Sequence, residues 1–173
     1  MQVINFFGSA GAGKTTAAYG LAHEMKKRYV EVEFSDEYAK RLFLAQSTHM
    51  LADQLSILAE QNARLHYANN PVHTIDYVIT DAPLMLSAFY SPANYPPSFR
   101  AWVVDLFKMY DNINIFLKRS HAYNPRLRQQ SEHESDIDSD RMEAMLQAYN
   151  IPYITMNAGD EVPLKVLRQL DID

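Results

Sequence analysis

Nine consecutive residues, Gly8-Ser9-Ala10-Gly11-Ala12-Gly13-Lys14-Thr15-Thr16, have the types and spacing to hold a row of phosphates. Gly8 to Thr15 fits the pattern G-x-x-x-x-G-K-[ST], preceded by a strand-like apolar run and followed by a helical one. Its glycines let the backbone curl so that successive N–H groups point at phosphate oxygens. Lys14 is placed to reach the β- and γ-phosphates, and the Thr15 hydroxyl is placed to ligate Mg²⁺. A helix starting there adds the positive end of its dipole. The chemistry implied is binding of a nucleoside triphosphate with its metal.

Three further groups could extend that chemistry. Asp81 follows the third predicted strand, where a carboxylate helps hold Mg²⁺ or orient a nucleophile; a turn-forming Asp before Ala-Pro is the alternative. Asp36 and Glu37 follow the second strand, and open parallel sheets bind ligands outside the carboxyl ends of their strands. A carboxylate there could take the proton of an acceptor hydroxyl, or Asp36 could simply cap the next helix with Glu37 in its first turn. Lys118-Arg119-Ser120-His121-Ala122-Tyr123-Asn124-Pro125-Arg126-Leu127-Arg128 carries four cations and reads as a lid. Bidentate geometry makes Arg126 and Arg128 the candidates to clamp a moving phosphoryl group. The competing reading is a solvated loop neutralised by Glu132, Glu134, Asp136, Asp138 and Asp140.

These residues need a scaffold that alternates strand and helix. Strands are expected at 2–7, 29–34, 75–80, 112–117 and 153–156. Helices are expected at 15–27, 37–45, 50–69, 84–90, 98–110, 141–149 and 162–170. Ser35 or Asp36 is the expected cap of the second helix and Ser98 of the fifth, while Asn69-Asn70-Pro71 ends the long one. Such alternation predicts a three-layer α/β fold, a mostly parallel five-stranded sheet covered by helices on both faces. The 173 residues suit one domain, 1–173, with a lid at about 118–140. Gln54, Gln61 and Arg64 can share a face of the long helix, and Asn157 to Asp160 form a turn that could border a nucleotide base.

Composition narrows the partners. A net charge of −5 does not favour a nucleic-acid or membrane-surface partner. With no cysteine there is no disulfide, no thiolate catalysis and no Cys-ligated metal. No apolar run approaches the roughly 20 residues that cross a bilayer, so a soluble, cytoplasmic protein is expected.

In the order of these motifs the chain resembles the small phosphate-loop kinases typified by the ribosylnicotinamide kinase domain of the bacterial NAD-biosynthesis regulator. That broad family includes short nucleotide-binding proteins of tailed bacteriophages. The resemblance rests on Gly8 to Thr15, Glu37-Tyr38-Ala39-Lys40, the helix around Gln61, Val78-Ile79-Thr80-Asp81, and Arg128-Gln129-Gln130. It implies an ATP- and Mg²⁺-dependent kinase acting on a nucleoside-like or other small hydroxyl acceptor. Ala82-Pro83-Leu84 departs from the hydroxylated residues that follow the acidic strand end in the kinase domain, so the acceptor side is expected to differ. A nucleic-acid kinase and a nucleotide-driven switch without an acceptor are the alternatives.

Overall fold

Successive residues of the first strand, β1 (Gln2–Phe7), feed two different cores: Val3 and Phe7 point to one side, Ile4 and Phe6 to the other. This is the pattern of a strand covered on both faces. The computed structural model describes residues 1–69, 72, 74–126 and 130–173. β1 is the middle of a five-stranded sheet with β2 (Val32–Ser35), β3 (Tyr77–Thr80), β4 (Asp111–Lys118) and β5 (Ile154–Asn157), in the order β2-β3-β1-β4-β5. Every pairing is parallel.

Helices α1 (Lys14–Lys27) and α7 (Val162–Gln169) cover one face, through Ala18, Leu21 and Met25 of the first and Val162 and Val166 of the second. They approach so closely that a Cβ on Gly20 would lie 2.8 Å from Cγ of Pro163. The other face carries α3 (Gln54–Ala68), α4 (Met85–Phe89), α5 (Pro97–Lys108) and α6 (Glu132–Ala148), packed through Leu58, Met85, Val103, Phe107, Met142 and Leu146. Phe6, Phe7, Phe107 and Phe116 are fully buried, each contributing roughly 1.5–3 kcal/mol by leaving water. A short helix α2 (Tyr38–Leu44) follows β2.

Several boundaries differ from the sequence expectation. Tyr29 adopts φ +58° and turns the chain out of α1, which delays the second strand from 29 to Val32. The expected helix over 50–69 is split: Thr48–Ala52 is a 3₁₀ turn, and Asp53 caps α3 by accepting from Ser56 N–H at 3.1 Å. Asn70 and Pro71, its expected stop, lie outside the described residues. The fifth helix starts one residue early at Pro97, with Pro96 rather than Ser98 at the cap. The largest change is α6, which begins at Glu132 instead of Arg141. Ser131 and Glu134 close a capping box there, so the last nine residues of the stretch expected as lid, 132–140, are helix. Hydrogen bonds from Ser131, backbone first and hydroxyl second, hold the Glu134 carboxyl below its usual pKa. Among the described residues no helix is long and apolar enough to cross a membrane.

Candidate active site

Register brings the candidate residues to one edge of the sheet. Ser35 pairs with Thr80, and Thr80 with Asn5, so Asp36, Asp81 and the loop after β1 emerge side by side. The loop makes its turn through three glycines with positive φ, +138° at Gly8, +76° at Gly11 and +85° at Gly13. At Gly8 there is a second reason for glycine, because a Cβ would lie 2.7 Å from the carbonyl oxygen of Leu117. Ala12 N–H donates to Ser9 O at 3.2 Å, and Lys14 Nζ donates to Gly8 O at 2.7 Å and Ser9 O at 3.0 Å. Gly13 is the N-cap of α1, with no side-chain cap and no acidic residue in the first turn. The first amides of this helix are therefore available to an anion. Thr16 and Thr15 follow within that first turn.

Thr15 Oγ1 donates to Asp81 Oδ2 at 2.6 Å. Asp81 is only 2% exposed, and its Oδ1 has no hydrogen-bond partner among the described residues. An unpartnered carboxylate oxygen beside a hydroxyl oxygen is a hard donor pair, which fits Mg²⁺ better than a soft metal. No group of three or more His, Asp or Glu suited to a metal occurs among the described residues. A metal at Thr15 and Asp81 would draw its remaining ligands from phosphate and water.

The two carboxylates after β2 part company. Asp36 turns to cations: Arg41 Nε donates to its Oδ2 at 2.7 Å, Arg64 Nη1 to its Oδ1, and Arg64 Nη1 also to its carbonyl at 3.0 Å. Neither Asp36 nor Ser35 caps α2; Glu37 occupies the cap position without a side-chain cap bond. Glu37 instead lines a cavity of about 270 Å³ whose wall also includes Gly8, Lys14, Phe43, Gln54 and Tyr90. Burial first, then the carboxylates of Asp138 and Glu37, push the Tyr90 phenol well above its usual pKa. It stays a neutral donor at the cavity wall. Gln61 is buried with Oε1 unpartnered and does not line this cavity, and Arg64 serves Asp36, so only Gln54 of that polar helix face reaches it.

The cationic stretch is only partly available. Lys118 pairs with Glu143, and Arg119 with Glu132 and Asp136 on α6. Arg126 is exposed, its N–H donating to Asn124 Oδ1 at 3.0 Å, and it does not line the cavity beside Lys14. Arg128 lies outside the described residues. On the far side of the loop, Gly13, Thr16, His121, Ala158, Asp160 and Pro163 surround a second hollow of about 360 Å³. The turn after β5 thus shares a wall with Gly13 and Thr16 of the loop.

Sequence reasoning missed Ser135, whose hydroxyl is 2.7 Å from Ala10 O and 2.9 Å from Ser9 Oγ. The pattern Ser131-x-x-Glu134 was the signal that a helix starts just before it.

A phosphate-loop α/β fold, with its loop and acidic strand end in contact, is what these features define. A family profile described as an AAA domain matches residues 3–161, and the chain belongs to that family. Among solved structures it is similar to NadR protein in complex with NR, with TM-score 0.71 and 16% identity over 99% of this chain. The chain spans about half, 52%, of that protein's chain. It is also similar to thymidylate kinase from Ehrlichia chaffeensis, with TM-score 0.62 and 19% identity over 98% of each chain. No curated protein matches its sequence.

Proposed function

We propose that the protein is an ATP- and Mg²⁺-dependent kinase that phosphorylates a nucleoside-like or other small hydroxyl acceptor. One observation carries the reading: the Thr15–Asp81 contact, with its unpartnered carboxylate oxygen, stands at the strand ends next to Lys14, which lines the same cavity as Glu37. Loop amides from Gly8 to Thr16 and Lys14 bind the triphosphate, and the base enters the hollow beside Asp160. Thr15 and Asp81 would hold Mg²⁺, which when bound offsets charge on the β- and γ-phosphates. The acceptor occupies the cavity, with Phe43 and Tyr90 flanking its apolar part. Glu37, rather than Asp36, takes the acceptor's hydroxyl proton as the new P–O bond forms and the bond to ADP breaks. Glu37 lines that cavity, whereas Asp36 pairs with Arg41 and Arg64 and does not line it. Arg126 and Arg128 remain candidates to neutralise the transferred group from a closing lid.

The kinase neighbours support this reading, and nicotinamide riboside and nucleosides are the first acceptors to try. The pairing of Lys118 and Arg119 with α6 carboxylates argues against a polynucleotide acceptor, since it removes two of four cations from a DNA-facing stretch. The test is a screen of nucleosides, nucleotides and DNA with labelled ATP. A phosphorylated small molecule is the expected product. Firm ATP binding with no phosphorylated acceptor would overturn the proposal.

A further inference from the structure

Helix α6 reaches the phosphate loop through one fully buried hydroxyl. Ser135 Oγ lies 2.7 Å from the carbonyl oxygen of Ala10 and 2.9 Å from the hydroxyl of Ser9, and both serines are buried. A serine hydroxyl has a single proton to give. With that proton donated to the Ala10 carbonyl, the Ser9 hydroxyl donates to Ser135 Oγ. Each hydroxyl then gives its proton once, inside a site closed to water.

The consequence follows from the geometry of the peptide unit. No cis peptide bond occurs among the described residues, and in a trans unit the C=O and N–H point in opposite directions. Drawing Ala10 O toward α6 therefore turns the N–H of Gly11, on the same peptide plane, away from α6. This amide belongs to the run that a phosphate loop offers to its anion. The two carbonyls before it are also committed, since Gly8 O and Ser9 O accept from Lys14.

The helix that supplies Ser135 is itself braced. Arg119 pairs with Glu132 and Asp136, one on each side of Ser135 in sequence, and stacks on the Tyr123 ring at 5.1 Å. That ring closes over the loop, because a Cβ on Gly11 would meet it at 3.1 Å. The loop is thus held at Ala10 by a hydrogen bond and covered at Gly11 by an aromatic ring.

We infer that Ser135 is a positioning residue for triphosphate binding, fixing the Ala10–Gly11 peptide plane so that the Gly11 amide faces the anion before it arrives. Preorganised donors bind without having to be turned at the moment of binding. The inference rests on the proposed nucleotide-binding role of Gly8 to Thr16.

Calorimetric titration of the full chain with ATP-Mg and with AMP tests it, using wild type, Ser135→Ala, Ser135→Thr and Ser139→Ala. The stoichiometry absorbs any unfolded fraction, so the Kd reports the folded molecules. Ser135→Ala is expected to weaken ATP roughly three- to tenfold, the effect of one lost hydrogen bond, and to leave AMP unchanged because it lacks the outer phosphates. Ser135→Thr, which keeps the hydroxyl, recovers most of the ATP affinity, and Ser139→Ala on the same helix matches wild type. An ATP Kd for Ser135→Ala within twofold of wild type, or an equal loss for AMP, overturns the inference alone. Failure of wild type to bind ATP would remove the nucleotide reading and this inference with it.

Discussion

Thr15 and Asp81, 66 residues apart in the chain, meet in a hydrogen bond of 2.6 Å. The contact satisfies one oxygen of a buried carboxylate and leaves the other without a partner. Such an oxygen costs on the order of 1–3 kcal/mol, which a bound cation would offset. Asp81→Asn preserves the shape and a partner for Thr15 but not the charge. Phosphoryl transfer should fall by roughly 100-fold with a weaker apparent Mg²⁺ affinity. The metal-free protein should melt no lower than wild type. A Mg²⁺ titration of turnover, together with melting curves in chelator, checks both halves.

Gly8 carries the tightest backbone requirement of the loop, with φ +138° and the Leu117 carbonyl 2.7 Å from where a Cβ would stand. Gly8→Ala should therefore destabilise the protein by roughly 3 kcal/mol or more, combining strain with a clash against backbone. Urea unfolding measures this; a loss under 1 kcal/mol would mean that β4 can yield at Leu117.

Glu37 lines the cavity while its neighbour Asp36 pairs with Arg41 and Arg64, and their variants should separate. Glu37→Gln is expected to lower kcat by a factor of roughly 100 or more with modest change in ATP affinity. Asp36→Asn leaves two arginines without their carboxylate and should cost about 1 kcal/mol or less, as its pairs are part-exposed. Its kcat should stay within a few-fold of wild type. Steady-state kinetics of the two variants decides the assignment, and a reversed pattern makes Asp36 the base.

The cap of α6 gives a pH signature. Glu134 has its pKa lowered from 4.5 by its bonds with Ser131. A carboxyl with a depressed folded pKa stabilises above its unfolded value, and that stability is lost as pH falls through the folded one. Glu134→Gln keeps an acceptor for the Ser131 N–H but does not titrate. Its stability relative to wild type should therefore rise as the pH drops below 4.5, and denaturant midpoints from pH 6 to 3 will show it.

The phosphate loop was legible because its geometry is dictated within nine residues, by glycines whose positive φ only they adopt easily. Asp81 was legible from its place after an apolar strand. The first half of α6 was not, because its inward positions include a serine, Ser135, and the first strongly apolar buried one is Met142. A helix anchored by a hydroxyl looks polar in sequence and passes for a loop. The choice between Asp36 and Glu37 was equally hidden, since Arg64 joins Asp36 from 28 residues away. Asp53 interrupts the long helical pattern as a cap, a role that periodicity cannot distinguish from an exposed helical position.

Gly20 lets α1 approach α7 until the Pro163 ring fills the space that a side chain at position 20 would need. The hollow beside Gly13 and Asp160 spans the same two elements, with both residues on its wall. Its width is thus inherited from how closely a glycine admits a proline ring. A single methyl group at position 20 would act as a spacer, changing the width of the hollow proposed for the base without altering any hydrogen-bonding group on its wall.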